Sequence, residues 1–172
     1  MIRKILIMGD PLLIRKTEKV SSFGTPDLLE LVCDLRDTQR NHQTLGLSAP
    51  QIGVPKQVMV IGTPESSKDP NSRDYVPYFT LINPSIELLT RSSCEFRESC
   101  LCIPNMTANI PRFTQVRYFG LDENGNTIQR EAFGLHAQIV QHHADHVFRT
   151  LYTMRIRDFS KFGFSSSFRE GQ

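Results

Sequence analysis

The segment Gln141-His142-His143-Ala144-Asp145-His146 places two histidines four residues apart. Several residues share helical spacing with this pair, which predicts the last long helix of the chain: Leu135, Ile139, His142, His146 and Arg149. Residues four apart lie on one face of a helix, where two imidazoles can hold a single metal ion. Gln141 and Asp145 favour a metal site, because ligating imidazoles need hydrogen-bond acceptors. Such a pair also occurs as ordinary solvent-facing residues or as a capping contact.

A second helix is predicted near the start of the chain. Thr25 suits the N-cap position and Pro26 the first helical position. Apolar residues then follow the helical period, which predicts a helix over about 26–41: Leu28, Leu31, Val32 and Leu35.

The region between the helices is predicted to contain strands. Five short segments have strand-like composition: 57–61, 79–82, 86–89, 115–119 and 127–130. The last two flank a turn at 122–126, which indicates a hairpin. The expected fold class is α+β, with mixed and antiparallel strands around a C-terminal metal-binding helix, in a single domain covering residues 1–172.

Three other segments are predicted to be irregular. The stretch 44–51 is rich in small residues and is predicted to be a loop, and the polar stretch of about 62–78 is predicted to be a surface loop. The tail, about 165–172, is expected to fray after packing through Phe162 and Phe164.

Composition excludes several classes of function. The chain has 172 residues, of which 39% are hydrophobic and 22% charged, and its formal net charge is only +2 with scattered basic residues. Nucleic-acid binding or membrane-surface binding would need a concentrated basic face. No apolar run approaches the roughly 18–20 residues of a membrane span, so a cytoplasmic protein is expected.

The cysteines point to metal binding rather than to disulfides. A hydrolytic metal site usually has three protein ligands and one open position, and His142 and His146 supply two. The segment Glu98-Ser-Cys-Leu-Cys102 is the best source of the third, and spacing does not choose between Cys100 and Cys102. A thiolate ligand favours Fe, Zn or Co over Mg. Cys33 is predicted to be a small packed residue of the first helix.

The chain resembles the peptide deformylases. Three motifs of that family read Gly-x-Gly-Leu-Ala-Ala-Pro-Gln, Glu-Gly-Cys-Leu-Ser and Gln-His-Glu-x-Asp-His. Their counterparts occur here in the same order at 44–51, 98–102 and 141–146. Further similarity covers nearly the whole chain, at segments 8–11, 82–84, 111–112, 154–158 and 161–164.

The resemblance implies a site and a reaction. Cys100, His142 and His146 would hold one divalent ion, Fe(II) in the family with Zn, Ni or Co as substitutes. Water would attack the formyl carbon of an N-formylmethionyl peptide or nascent chain. The Gln51 amide and the Leu101 backbone N–H would stabilise the resulting oxyanion.

The resemblance also implies a substrate-binding surface. Gly46 would let the peptide backbone approach as an added strand. Leu45, Leu135 and Ile139 would line the methionine pocket. Gly46 could instead serve only a turn, and Leu135 and Ile139 could simply be core residues. Ribosome docking is an expectation taken from the family, and a monomer or weak homodimer is expected. Arg112 is expected to pair with Glu98 as a scaffold contact.

Departures from the family pattern cluster at the site. His143 stands where the family has its catalytic Glu, and a general base typically contributes ~10²–10⁴-fold to rate. An imidazole can accept a proton near neutral pH, but a nearby metal ion would lower its pKa. Five further positions differ from the motifs: Thr44, Ser48, Ser99, Cys102 and Arg149. The sequence therefore leaves three functions open: a deformylase of reduced activity, a hydrolase of altered substrate, and a non-catalytic module that binds formylated or free peptide N-termini.

Overall fold

The computed structural model describes residues 1–72 and 74–168 and contains two helices. Helix α1 spans Pro26–Asn41, and the Thr25 side chain caps it by accepting a hydrogen bond from the Leu28 backbone N–H. Helix α2 spans Gly134–Val147. The strands are β1 Gly46–Ser48, β2 Val58–Ile61, β3 Phe79–Leu88, β4 Ser93–Cys100, β5 Ile103–Phe113, β6 Gln115–Leu121, β7 Thr127–Phe133 and β8 Phe162–Phe164.

The strands form two antiparallel sheets. One has five strands in the order β1-β2-β3-β6-β7, and the other has three in the order β4-β5-β8. All pairings between these strands are antiparallel, which confirms the α+β class. Strand β1 lies at an edge of the larger sheet, so one side of its backbone pairs with β2 and the other faces away from the sheet.

Strand β2 divides the apolar core into two clusters. Its four residues are all fully buried, and successive side chains of a strand point to opposite faces. Val58 and Val60 therefore join the cluster beneath α1. Met59 and Ile61 join the cluster beneath α2. The two helices consequently lie on opposite faces of the larger sheet.

Three predicted segments differ from the structure because of non-local pairing. The stretches 79–82 and 86–89 belong to one strand, β3, which contains a register shift between Ile82 and Ser85. Asn83 lies at the shift and has a φ of 54°. Its side-chain Oδ1 accepts a hydrogen bond from the Val20 backbone N–H, and its Nδ2 donates one to the Val20 carbonyl oxygen. The predicted loop 44–51 contains β1, because Gly46–Ser48 pairs with β2.

Three side-chain expectations were wrong. Cys33 is exposed on α1 rather than packed. Arg149 does not lie on α2, because the helix ends at Val147 and Arg149 takes a left-handed φ of 65°. Phe162 packs against the core beneath α1, but Phe164 is 60% exposed.

The remaining segments contain little regular structure. Residues 165–167 form a single 3-10 turn, and positions 169–172 of the predicted tail lie outside the described residues. The described part of 62–78 consists of turns, bends and irregular backbone. In the ranges described, neither helix combines the length and the hydropathy needed to cross a bilayer.

Candidate metal centre

The C-terminal half of helix α2 carries three histidines into the interior. His142, His143 and His146 are all buried, because α2 packs against the larger sheet on one side and approaches β5 on another. The rings of His142 and His146 lie one helical turn apart, with centroids separated by 5.2 Å. The four-residue spacing therefore brings the two imidazoles together, as the sequence predicts.

The turn between β4 and β5 brings a thiol to this helix. Cys100 pairs with Ile103 across a turn made of Leu101 and Cys102. The Cys100 Sγ lies 3.3 Å from Nε2 of His146. Two ligands of one tetrahedral zinc ion, with bonds of about 2.3 Å to sulfur and 2.0–2.1 Å to nitrogen, lie about 3.5 Å apart. The observed separation fits two ligands of one ion, and it is also that of a hydrogen bond between the two groups.

A second thiol joins the same cluster. The ligand atoms of Cys100, Cys102 and His146 all lie within 4.8 Å of one another. Spacing alone left the choice between the two cysteines open, and the fold brings both of them to His146. His142 lies beside this group, with its ring next to that of His146.

Glu98 orients His142. The Nδ1 of His142 lies 2.8 Å from Oε2 of Glu98, so Nε2 is the nitrogen of this ring that hydrogen-bonds Cys100 and that would bind a metal. Burial alone would lower the pKa of His142, but hydrogen bonds to Cys100 and Glu98 raise it to about 9. Burial would raise the pKa of Glu98, and the hydrogen bonds from Arg112 and His142 lower it to about 2. Glu98 is therefore a carboxylate at neutral pH.

The predicted acceptors for the imidazoles were wrong. Gln141 hydrogen-bonds the backbone N–H and C=O of Phe113, not a histidine ring. Asp145 accepts hydrogen bonds from Arg112 and Arg155. A signal for Glu98 was present in the sequence, because a residue two before Cys100 in a strand points to the same face as Cys100.

The Arg112 side chain binds both Glu98 and Asp145. Its guanidinium is 2% exposed and donates to both Glu98 oxygens, at 2.7 and 2.8 Å, and to Asp145 at 2.6 Å. The expected Arg112–Glu98 pairing is confirmed. The guanidinium thereby links β4 and β5 to α2.

The Gln51 amide faces the thiols. Its Oε1 accepts a hydrogen bond of 2.9 Å from the Ser48 backbone N–H, which fixes the orientation of the amide. Its Nε2 then lies 3.7 Å from the Cys100 sulfur and 3.6 Å from the Cys102 sulfur. Gln51 is therefore a donor held in position beside the ligand cluster.

His143 lies along β1. Its Nδ1 is 3.4 Å from the Ser48 hydroxyl, which donates a hydrogen bond of 2.9 Å to the His143 carbonyl oxygen. Its Cδ2–Nε2 edge faces Gly46 so closely that a β-carbon there would overlap the ring. Burial, followed by the charge of His142, lowers the pKa of His143 well below its ordinary value. The ring is therefore a neutral imidazole.

A cavity of about 630 Å³ opens above the cluster. Most of the residues predicted to act in catalysis or substrate binding line it: Leu45, Gly46, Gln51, Cys100, Leu101, Ile139, His142 and His143. Leu135 is not among its lining residues and packs against the core beneath α2. Ser99 lies in β4 without a positive φ, so a side chain at this position causes no backbone strain.

The donor set fits a borderline-soft divalent cation. Thiolate and imidazole ligands suit Zn and Fe, whereas Mg prefers oxygen ligands. The Nε2 of His146 lies 3.3 Å from the Cys100 sulfur and is therefore the candidate ligand atom of this ring, whereas its buried Nδ1 has no hydrogen-bond partner among the described residues. The cluster therefore has the atoms and the spacing of a metal centre.

Sequence and structure comparisons identify the family. A family model described as polypeptide deformylase matches residues 2–162. Peptide deformylase 1 of Nitrosomonas europaea is 44% identical over 172 residues, which cover 100% of this chain and 97% of that protein. A peptide deformylase structure from Legionella pneumophila has a TM-score of 0.81 at 29% identity, covering 94% of this chain and 89% of its own. A class I type b peptide deformylase from Acinetobacter baumannii, solved with Met-Ala-Ser bound, shares the fold with a TM-score of 0.81 at 24% identity, covering 91% of this chain and 99% of its own. The chain belongs to the peptide deformylase family.

Proposed function

We propose that this chain hydrolyses the formyl amide of N-formylmethionyl peptides at a divalent metal held by Cys100, His142 and His146. The observation that carries the proposal is the 3.3 Å separation between the Cys100 sulfur and Nε2 of His146, beside a His142 oriented by Glu98. A cytoplasmic location, with nascent chains as substrate, follows from this activity. Ribosome docking and a monomeric or weakly dimeric state stay predictions.

The metal and the polar groups around it divide the chemistry between them. When bound, a divalent cation polarises a carbonyl oxygen and makes water nucleophilic near neutral pH. Fe(II) is the family's ion, and the thiolate also suits Zn or Co. The Gln51 Nε2 and the Leu101 backbone N–H would donate to the oxygen that becomes negative in the transition state. The hydrogen bond from Ser48 to Gln51 supports this role, because it fixes the amide before substrate arrives.

The edge of β1 would bind the peptide main chain. An extended peptide can add, through backbone hydrogen bonds, to an edge strand that has no strand partner on one side, as β1 does. Gly46 lies on that edge and lines the cavity, and Leu45 and Ile139 provide apolar surface for a methionine side chain. The Met-Ala-Ser peptide in the Acinetobacter baumannii structure supports a site of this kind in a protein of the same fold.

His143 would be the group that transfers the proton. A neutral imidazole can accept a proton from water and pass it to the departing amine. It lacks the negative charge by which a carboxylate stabilises a developing ammonium, and its Nε2 edge lies against Gly46. We therefore infer a deformylase whose turnover is lower than that of an otherwise equal enzyme with Glu at this position.

Formate release tests the proposal. Protein loaded anaerobically with Fe(II), Ni(II) or Zn(II) is mixed with formyl-Met-Ala-Ser, and formate is measured against metal-free protein. Loaded protein should release formate, and Cys100→Ala should weaken metal binding and abolish release. Stoichiometric metal without formate above the metal-free level would contradict the activity. An unchanged metal affinity in Cys100→Ala would contradict the assignment of Cys100 as a ligand.

A further inference from the structure

We propose that Cys102 is a fourth protein ligand of the metal, which gives the resting site a Cys₂His₂ ligand set. This inference rests on the proposed function only in that it uses the same metal site. Cys102 stands where the family motif has Ser, so it adds a thiol that the motif lacks.

The β4–β5 turn explains how both cysteines reach one ion. The chain reverses between Cys100 and Ile103, and the register of β4 against β5 shifts just before Cys100. The reversal brings the two sulfurs to the same side of the hairpin, and both lie within 4.8 Å of the His146 ligand atom. An ion bound to Cys100 and His146 would therefore have a second sulfur close to its coordination sphere.

The environment of Cys102 suits a metal thiolate. Its side chain is fully buried, and the Nε2 of Gln51 lies 3.6 Å from its sulfur. Ligating groups in proteins are generally held by such hydrogen bonds. Cys100 and His142 line the cavity, whereas Cys102 and His146 are not among its lining residues. Cys100, Cys102 and His146 thus lie together at the boundary between the cavity and the core, and the His142 ring lies beside that of His146.

A Cys₂His₂ set has a chemical consequence. Four protein ligands complete the tetrahedral coordination typical of structural zinc sites, whereas catalytic sites keep one position open. Cys102 would therefore compete with water and substrate for the fourth position. Two thiolates would also shift metal preference further toward zinc.

X-ray absorption at the zinc K edge tests the assignment without relying on turnover. Zinc-loaded wild-type protein, Cys102→Ser and the control Cys33→Ser are compared. Cys102→Ser restores the family residue, and Cys33 is exposed on α1. We expect two sulfur ligands at about 2.3 Å in the wild type and in Cys33→Ser, and one sulfur in Cys102→Ser. One sulfur in the wild type would overturn the proposal. If the serine variant folds poorly, Cys102→Ala takes its place and should likewise show one sulfur ligand.

Formate release from the same samples separates this inference from the proposed activity. Loss of one sulfur in Cys102→Ser with a rise in formate release supports both. Loss of one sulfur without formate release in any sample supports the Cys102 ligand and contradicts the deformylase. A single sulfur in every sample, with formate released, contradicts the Cys102 ligand and supports the deformylase.

Discussion

The His143 ring lies so close to Gly46 that a β-carbon on Gly46 would overlap the Cδ2 and Nε2 atoms of the imidazole and lie 3.1 Å from its Cγ. Gly46 has an ordinary φ, so the requirement for glycine here comes from the ring and not from the backbone. The residue that departs most from the family's catalytic pattern is therefore sterically coupled to the strand proposed to bind the peptide.

This coupling predicts a non-additive pair of substitutions. Gly46→Ala should destabilise the fold by about 1–3 kcal/mol, because the added methyl overpacks a buried contact. In a His143→Ala background the same change should cost less than about 1 kcal/mol, since the ring is gone. Urea unfolding of the two single variants and the double variant measures the difference. Equal costs in both backgrounds would contradict the steric coupling.

Replacing His143 tests its chemical role. His143→Glu should raise formate release by up to about 10²–10⁴-fold, the full contribution of a general base, because a carboxylate is a stronger partner for the developing ammonium group. His143→Gln has a side chain of the same length as Glu but no general base, and it serves as the control. The measurement is the rate of formate release at equal metal content. An unchanged rate in His143→Glu would show that proton transfer through this position does not limit turnover.

The buried Arg112 should matter far more to stability than an exposed arginine in a similar ion pair. Arg112→Ala leaves Glu98 and Asp145 as buried carboxylates without their shared cation, at a cost of about 3–5 kcal/mol. Arg117→Ala removes an exposed pair with Glu131 and should cost less than about 1 kcal/mol. Chemical denaturation of both variants provides the comparison, and similar losses would refute the argument from burial.

The residue after α2 offers a stabilising substitution. Arg149 has a φ of 65°, a conformation that costs a side-chain-bearing residue roughly 1–2 kcal/mol. Arg149→Gly removes this strain, but it also makes the unfolded chain more flexible, which lowers the free energy of unfolding by about 0.4–1 kcal/mol. The net expectation is a gain of roughly 0.5 kcal/mol in the free energy of unfolding. Arg149→Ala keeps the strain and should show no gain.

His136 predicts a pH dependence away from the metal centre. Burial, followed by the charge of Arg130, lowers its pKa from 6.5 to about 4. The unfolded chain therefore binds more protons between these values, so this contribution to stability is complete above pH 6.5 and is lost as the pH falls toward 4. His136→Gln should flatten the stability–pH curve in that window by on the order of 3 kcal/mol. Urea unfolding of the wild type and of His136→Gln at pH 7 and pH 4.5 tests this, and an equal loss of stability in both proteins would contradict it.

Local signals in the sequence were sufficient for some elements. Helix α1 begins and ends where its cap, its proline and its apolar period indicate, because those features act within a few residues. The hairpin of β6 and β7 was likewise found from its turn residues. Strand β4 was missed because most of its side chains are exposed and polar, so the alternation that marks a half-buried strand is weak.

In the candidate site, too, some features could be predicted from the sequence and others could not. The histidine spacing and the family motifs identified Cys100 and His146, whose atoms the fold brings within ligand distance of each other. The contact between Glu98 and His142 spans 44 residues and depends on how a hairpin packs against a helix. No local pattern predicts the close approach of the His143 ring to Gly46 either, because it arises from the distance between β1 and α2.

The Arg112 guanidinium joins β4 and β5 to α2 through its bonds to Glu98 and Asp145. The elements that carry the cysteines and the histidines are tied together by charges within the protein itself, so their relative placement is set during folding and does not await an ion. A small zinc-dependent domain loses much of its conformational entropy only when the ion binds. Here much of that entropy is already lost when the chain folds, before an ion binds. Removal of the ion should consequently leave an intact scaffold that can be reloaded with a different element.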